Sequence, residues 1–344
     1  MKNFNKIFDP INNKKTLLCV GPMSKNVVDA SIELSDKKNI PIILIASRRQ
    51  VDSEEFGGGY VNGWNTEDFS KYIKKKQRKN NIFLARDHGG PWQNNTEITN
   101  KLHLKDAMRS AKISFKDDIL NDFSMIHIDT CIDIEKKLTF KNSIDRLLEL
   151  YAFCNEVSKK NKKKILFEIG TEEQNGSTSN FEELQETLNI LKKFCKKEKA
   201  PWVTFVVSQS GTRVMETRNV GSFEAKSRVS YEIPVEIHLI KLLEIFDKNN
   251  IFFKEHNADY LSDESLKWHP RLGIHAANVA PEFGVAETLC LLNLLKSNNL
   301  KKEMNHFIEL AVESKKWIKW VIDEKKLSDL QKSIICGHYI FNKP

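Results

Sequence analysis

Histidine nitrogens and carboxylate oxygens are the side-chain atoms that hold divalent transition metals, and this chain carries them in a few tight segments. Asp87-His88 opens one and runs into Gly89-Gly90-Pro91. Glu168 lies in an apolar run that leads to Glu172. His256 is followed by Asn257-Ala258-Asp259. Two histidines with a carboxylate suit zinc or another divalent metal and leave a coordination position for substrate. A metal so held polarises a carbonyl and stabilises an enediolate, while a neighbouring carboxylate such as Asp87 carries protons to and from a sugar hydroxyl. Each feature alone has a plainer reading. A lone histidine is more often structural, and a carboxylate at a strand end often caps the next helix. The chemistry therefore depends on elements that bring these segments together.

Short β-rich apolar runs alternate eight times with amphipathic helical patterns. The runs are Thr16-Leu17-Leu18-Cys19-Val20, Pro41-Ile42-Ile43-Leu44-Ile45-Ala46, Ile82-Phe83-Leu84-Ala85 and Met125-Ile126-His127-Ile128. Ile165-Leu166-Phe167-Glu168-Ile169, Val203-Thr204-Phe205-Val206-Val207, Ile251-Phe252-Phe253-Lys254-Glu255 and Gly273-Ile274-His275-Ala276-Ala277 complete the set. The fifth helix is expected to start at Ser179, where Glu182 completes a capping box. The eighth is expected to start at Pro281, a residue suited to the first helical position. Eight such units predict an α/β fold, a closed parallel (β/α)8 TIM barrel spanning residues 1–300. An open doubly wound sheet would call for a Gly-rich phosphate turn after the first strand, and Gly21-Pro22-Met23-Ser24 is not one. Residues 301–344 read as extra C-terminal helices packed on the barrel or on a partner subunit, with Trp317 and Trp320 on one helical face.

A barrel of this kind carries its chemistry on the loops after the strands. Asp87, His88, Glu168 or Glu172, Gln209 and His256 then face one mouth. Arg48, Gln50, Asp129, Gln209, Arg213, Asp259 and Asn278 stand there as candidate substrate contacts. Arg48 and Arg49 sit near Gly57-Gly58-Gly59, whose backbone can approach an anion closely. The stretch 208–230 shows no periodicity and holds Arg213, Arg218, Lys226 and Arg228. It reads equally as a clamp for phosphate or carboxylate and as a solvated excursion.

Composition narrows the class. The chain has 344 residues, a formal charge of +8 and 40% hydrophobic residues, enough for a substantial core. Its lysines are scattered, with Lys74-Lys75-Lys76 and Lys162-Lys163-Lys164 at expected helix ends. No basic stripe interleaved with aromatics argues for nucleic acid. The six cysteines occur singly, without a CxxC pair, which argues against a zinc ribbon or disulfide framework, and several lie in apolar runs, which suits reduced, buried thiols. No apolar signal core or membrane-length run is present, so a cytoplasmic protein with no membrane partner is expected.

The strand-end segments resemble the Z-subunit family of class II D-tagatose-1,6-bisphosphate aldolase, itself related to class II fructose-bisphosphate aldolases. The resemblance spans about residues 17–295. It rests on Gln50-Val51-Asp52 with Phe56-Gly57-Gly58, on Asp87-His88-Gly89-Gly90-Pro91-Trp92-Gln93, and on His127-Ile128-Asp129. Ile169-Gly170-Thr171-Glu172 and Glu255-His256-Asn257-Ala258-Asp259-Tyr260 also match. The resemblance implies a TIM barrel in which His88 and His256 are zinc ligands and Asp87 handles the proton of the C4 hydroxyl. It also implies that Glu168 or Glu172 is a ligand or a base, and that Asn278 touches substrate. The chain departs from catalytic class II aldolases at Gln209, where they have a histidine ligand. It departs again at Asn257-Ala258-Asp259, where they have a Gly-Gly-Ser phosphate loop, and along 213–230. The expected activity is reversible, metal-dependent aldol cleavage of a phosphorylated ketose. The alternatives are a non-catalytic subunit supporting a separate aldolase chain, since Z subunits are described as accessory, and a metal-dependent sugar isomerase or epimerase. A sugar phosphate and a homo- or hetero-oligomeric partner follow from these readings.

Overall fold

The structure, a computed structural model, describes residues 3–170, 180–208, 210–221, 223 and 235–343. All eight apolar runs form strands. β1 (Leu17–Val20), β2 (Ile42–Ser47), β3 (Ile82–Gly89), β4 (Met125–Asp129), β5 (Leu166–Gly170) and β6 (Phe205–Val207) come first. β7 (Val214–Met215) and β8 (Arg218–Asn219) form a separate antiparallel hairpin. β9 (Phe252–Glu255) and β10 (Ala276–Val279) complete the barrel. The parallel strands close in the order β1-β10-β9-β6-β5-β4-β3-β2, a TIM barrel.

The helices begin with α1 (Asn5–Asn12), α2 (Lys25–Lys38), α3 (Thr66–Lys76) and α4 (Asn95–Thr99). Next come α5 (Leu104–Leu120), α6 (Phe140–Lys160), α7 (Phe181–Glu198) and α8 (Val235–Asn249). α9 (Asp263–Trp268), α10 (Pro281–Ser297), α11 (Lys301–Glu313) and α12 (Asp329–Cys336) follow. Their starts obey capping chemistry: Ser24, Asn65, Thr139 and Asn180 each accept a backbone N–H of the first turn. The cap of α7 is Asn180, one residue beyond the expected Ser179, which lies outside the described residues. Lys74-Lys75-Lys76 does fill the last turn of α3.

Three expectations shift. The eighth strand starts later than Gly273, because that glycine turns with φ +66° and its position is crowded by Leu243. The stretch expected to lack regular structure contains the β7–β8 hairpin, whose two-residue strands are too short to register as a period. Trp317 precedes and Trp320 ends a 3-10 turn (Ile318–Trp320) between α11 and α12, rather than the two sharing an α-helix face. Trp317 is buried and its indole N–H donates to Val312 O at 2.9 Å, whereas the Trp320 indole reaches the Tyr339 hydroxyl at 3.3 Å.

Period-two alternation divides the strand residues between two cores. Ile42, Leu44, Ile82, Leu84, Ile126, Ile128, Phe167 and Phe253 pack outward against the helices. Leu17, Ile43, Phe83, Met125, Leu166 and Phe205 fill the barrel, with Phe4, Ile7 and Ile11 from α1 closing the end nearest the strand starts. The interior positions one or two steps further along those strands carry the polar site. No helix of the described residues is long and apolar enough to cross a membrane.

A charged pair breaks the outer apolar layer at β3. Arg86 is fully buried and makes a bidentate pair with Asp118, Nε–Oδ2 2.8 Å and Nη2–Oδ1 2.6 Å. Its remaining Nη1 donates to Ala46 O and Val51 O, which ties β2 and the chain beyond it to β3. Removing one partner strands the other charge, so Arg86→Ala is expected to lower stability by about 3–5 kcal/mol. Urea denaturation checks this; a loss under about 1 kcal/mol contradicts the role given to the pair.

Candidate metal centre at the barrel mouth

The same alternation that points Phe83 and Ala85 into the barrel points Asp87 there, and likewise His127 after Met125, Glu168 after Leu166, and His256 after Lys254. Register fixes the neighbours: His127 lies opposite Glu168, and Cys19 opposite Asn278. At the end of β3 the ladder shifts between Arg86 and Gly89, and His88 adopts φ +45°. The bulge lets successive residues Asp87 and His88 both reach the mouth. It needs the glycines that follow: a Cβ on Gly90 would lie 2.0 Å from Asp129 O, and one on Gly89 2.3 Å from Phe115.

Asp87, His127, Glu168 and His256 are all buried, and each offers a ligand atom within 4.8 Å of the others. Asp87 Oδ1 lies 3.4 Å from His127 Nδ1 and 3.6 Å from His256 Nε2. Glu168 Oε1 lies 3.5 Å from His127 Nδ1 and 3.8 Å from His256 Nε2. Only His127 and Asp87 come within hydrogen-bond reach, and that contact is long; His127 Nδ1 also accepts the His88 N–H at 3.2 Å. His256 Nε2 is buried with no hydrogen-bond partner among the described residues, although it points into the cluster. A buried nitrogen left without a partner costs free energy, and a bound cation would remove that cost. The donor set of two imidazoles and two carboxylates fits a divalent transition metal.

A cation already stands beside this group. Lys254, buried on β9, places Nζ 2.7 and 3.0 Å from the two oxygens of Glu168. Burial would raise the Glu168 carboxyl, but Lys254, His127 and His256 hold it down at about 2. Burial likewise opposes ionisation of Asp87, yet His88, His256, His127 and Lys254 keep it well below the carboxylate range. Burial lowers His256 to about 4 despite Asp87 and Glu168, leaving a neutral ring with a lone pair to offer. His88 goes the other way: burial is outweighed by Asp87 and Asp129, which raise it to about 9. Its Nδ1 donates to Asp129 Oδ2 at 2.6 Å.

The site residues expected from sequence are therefore distributed as follows. Asp87, Glu168 and His256 come together with ligand atoms converging. His88 sits at the edge, turned to Asp129 and only 3.8 Å from Asp87. Asn278 lines the same floor, its Oδ1 buried without a partner among the described residues. Gln50 lines the cavity but spends its carbonyl on Ser47 N and Oγ. Asp259 accepts from Ala280 N and Glu282 N, which caps α10. Arg48 is buried against Asp52, Glu97, Ser110 and Gly90 O, so its guanidinium braces loops rather than facing a ligand. Arg213 is exposed beside the hairpin and does not line the cavity. Glu172, Gln209, Lys226 and Arg228 lie outside the described residues. Sequence reading missed His127 and Lys254 as site residues. Their signal was present: each is a polar residue on the inward phase of its strand, after an inward apolar residue (Met125 or Phe252) and two residues before another polar one (Asp129 or His256).

A family model described as "D-tagatose-1,6-bisphosphate aldolase subunit GatZ/KbaZ-like" matches residues 10–332. The chain belongs to this GatZ/KbaZ-like family. Solved structures agree on the fold. A probable tagatose 6 phosphate kinase from Sinorhizobium meliloti 1021 superposes with TM-score 0.74 at 18% identity, covering 96% of this chain and 84% of that one. The fructose-bisphosphate aldolase of Campylobacter jejuni gives TM-score 0.54 at 14% identity, covering 85% of this chain and 79% of that one. The YdjI aldolase of Escherichia coli K12 gives 0.52 at 13% identity, covering 86% and 85%. No curated protein sequence matches the GatZ/KbaZ-like chain.

The Lys254–Glu168 pair makes a measurable prediction. Lys254→Met strands the Glu168 carboxylate and should cost about 3–5 kcal/mol without metal. The freed carboxylate should then bind a divalent ion more tightly, so added manganese or zinc should raise the melting temperature of Lys254→Met more than that of the wild type. Equal metal-induced shifts in thermal denaturation would contradict competition between lysine and metal for Glu168.

Proposed function

We propose that this GatZ/KbaZ-like chain cleaves and forms a carbon–carbon bond of a phosphorylated ketose with the help of a divalent metal, zinc being the first candidate. The observation that carries the reading is the buried convergence of Asp87, His127, Glu168 and His256 at the strand ends of the barrel. His127, His256 and Glu168 would hold the ion, with Asp87 beside it. When bound, the ion would polarise the ketose carbonyl.

The chain's own residues supply the rest. Asp87 lines the cavity and is held ionised, so one of its carboxylate oxygens can accept the proton of a substrate hydroxyl and return it. His88, charged and braced by Asp129, stands next to Asp87 and favours its ionised form. The amide of Asn278 offers a buried oxygen to a substrate hydroxyl. The floor is deep in a cavity of about 730 Å³, room for an extended sugar phosphate.

A second reading is supported by Lys254. Its ammonium already neutralises Glu168, which weakens the case for a full ligand set, and the family description names a subunit. In that reading the barrel supports a separate catalytic aldolase chain.

Elemental analysis and product analysis together test the proposal. Purified wild-type chain should hold near-stoichiometric divalent metal. His256→Ala and His127→Ala should lose it, while His88→Ala, whose ring serves Asp129, should keep it. Asp87→Asn should keep the fold and lower cleavage of a ketose phosphate by about 10²–10⁴-fold. Metal absent after supplementation contradicts the metal reading. Metal bound without any C–C cleavage over a ketose phosphate panel contradicts the catalytic one and favours the supporting subunit.

A further inference from the structure

The cavity above the metal centre has a second, chemically distinct wall. Its floor is Asp87, His88, Asp129, His256 and Asn278. The same cavity is also lined by Arg49, which is near enough to His88 to act on its charge, and, from the C-terminal segment outside the eight β/α units, by Lys316 and Lys319, with the rings of Trp320 and Tyr339. We propose that Arg49, Lys319 and Lys316 form an anion subsite that takes the phosphate group of a phosphorylated substrate, and that the C-terminal segment is therefore part of the binding site; this rests on the sugar-phosphate reading above.

Three observations carry the inference. First, these cations lack carboxylate partners among the described residues, unlike Arg48 and Arg86, which are saturated. Arg49 Nε is buried and makes no hydrogen bond among the described residues. Lys319 is exposed at the rim, its Nζ 4.4 Å from the Trp320 ring and 5.6 Å from the Tyr339 ring, and desolvation, then the charges of Arg49 and Lys316, push its ammonium down. Like charges held together without a counter-charge favour a bound anion.

Second, the backbone cannot do this work. The N–H groups of Gly57, Gly58 and Gly59 are already given to Glu54 O, Ser53 O and Trp64 O. Gly59 is glycine for packing, since a Cβ there would lie 2.1 Å from Gln50 O. The loop expected to cradle an anion shapes the wall and leaves the charge to side chains.

Third, the C-terminal segment is fastened over the mouth. Asn342 Nδ2 donates to Tyr60 O at 2.6 Å, and the Tyr60 and Tyr339 rings lie 4.9 Å apart. Glu216 N, at the hairpin turn, donates to Trp320 O at 2.6 Å. The same hairpin reaches the residues after β9, because Asn219 Nδ2 donates to Asn257 O and Asp259 O. Lys319 Nζ is steered by the Trp320 ring, 4.4 Å from its centroid. The backbone that carries both lysines is thus fixed over the mouth, although their side chains are exposed.

Calorimetric titration of the full chain with inorganic phosphate tests the subsite. Wild type should bind phosphate. Arg49→Ala and Lys319→Glu should each weaken binding by about tenfold or more, about 1.4 kcal/mol. Lys302→Glu, an equal charge change on the exposed α11, should leave binding unchanged. Lys319 is a surface side chain, so its variant is expected to fold even if Arg49→Ala does not. Absence of phosphate binding in the wild type, binding unaltered in Lys319→Glu, or an equal loss in Lys302→Glu would overturn the proposal. Metal content of the same samples reports separately on the floor of the cavity and should not change with these substitutions.

Discussion

Burying two carboxylates, a lysine and two imidazoles in one layer of a barrel is possible only when the charges are mutually neutralised. Asp87, His127, Glu168, Lys254 and His256 meet this condition in part. Lys254 satisfies Glu168 at hydrogen-bond distance, while His256 stands beyond that distance from both carboxylates and His127 makes one long contact, 3.4 Å to Asp87. Close donors that leave the inner nitrogens His127 Nε2 and His256 Nε2 without a hydrogen-bond partner among the described residues suit a ligand set for an ion, and are a costly way to build a core without one. The supporting structure serves this layer. The bulge of β3 turns Asp87 and His88 together, Gly89 and Gly90 allow β3 and β4 to approach, and the Arg86–Asp118 pair clamps the outer side of β3.

Above that layer the site is asymmetric in charge. Its floor holds the carboxylates, and its upper wall holds Arg49, Lys316 and Lys319. A molecule with a carbonyl or hydroxyl end and an anionic end matches a lining that carries both carboxylates and cations. The upper wall comes partly from residues beyond the eighth β/α unit. The C-terminal helices pack on α10 and on one another around Trp317, Ile335 and Cys336, and this packing holds Lys319 and Tyr339 over the mouth. The extension thus links stability to binding: loosening its small core would move a wall of the cavity.

The fold was legible because period is a strong signal. Runs such as Ile42–Ser47 and Ile82–Gly89 alternate between an inner and an outer apolar core, and each is followed by an amphipathic helix, α3 capped by Asn65 after the first and α5 after the second. The ends of the elements were less legible. The start of β10 depended on a left-handed turn at Gly273, and the β7–β8 hairpin was too short to show a repeat. In the site, Asp87, Glu168 and His256 could be found because strand ends collect at one mouth. Lys254 and His127 were overlooked because they sit within apolar runs, where they read as strand residues. Only their inward phase, two residues before His256 and Asp129 respectively, marked them. The roles of Arg48 and Asp259 depended on partners distant in sequence: Glu97 and Ser110 for the arginine, and the first turn of α10 for the aspartate. Charge type alone could not separate bracing from binding.

The central claim is that the unpaired His256 nitrogen and its neighbours form a metal site. Anomalous diffraction from crystals grown with manganese or zinc tests it most directly. The account predicts one strong peak among Asp87, His127, Glu168 and His256, at about 2.0–2.2 Å from His256 Nε2. The Lys254–Glu168 contact should lengthen in that crystal. A barrel without a peak at this position, in which Lys254 still holds Glu168 and a water occupies the gap, would contradict it.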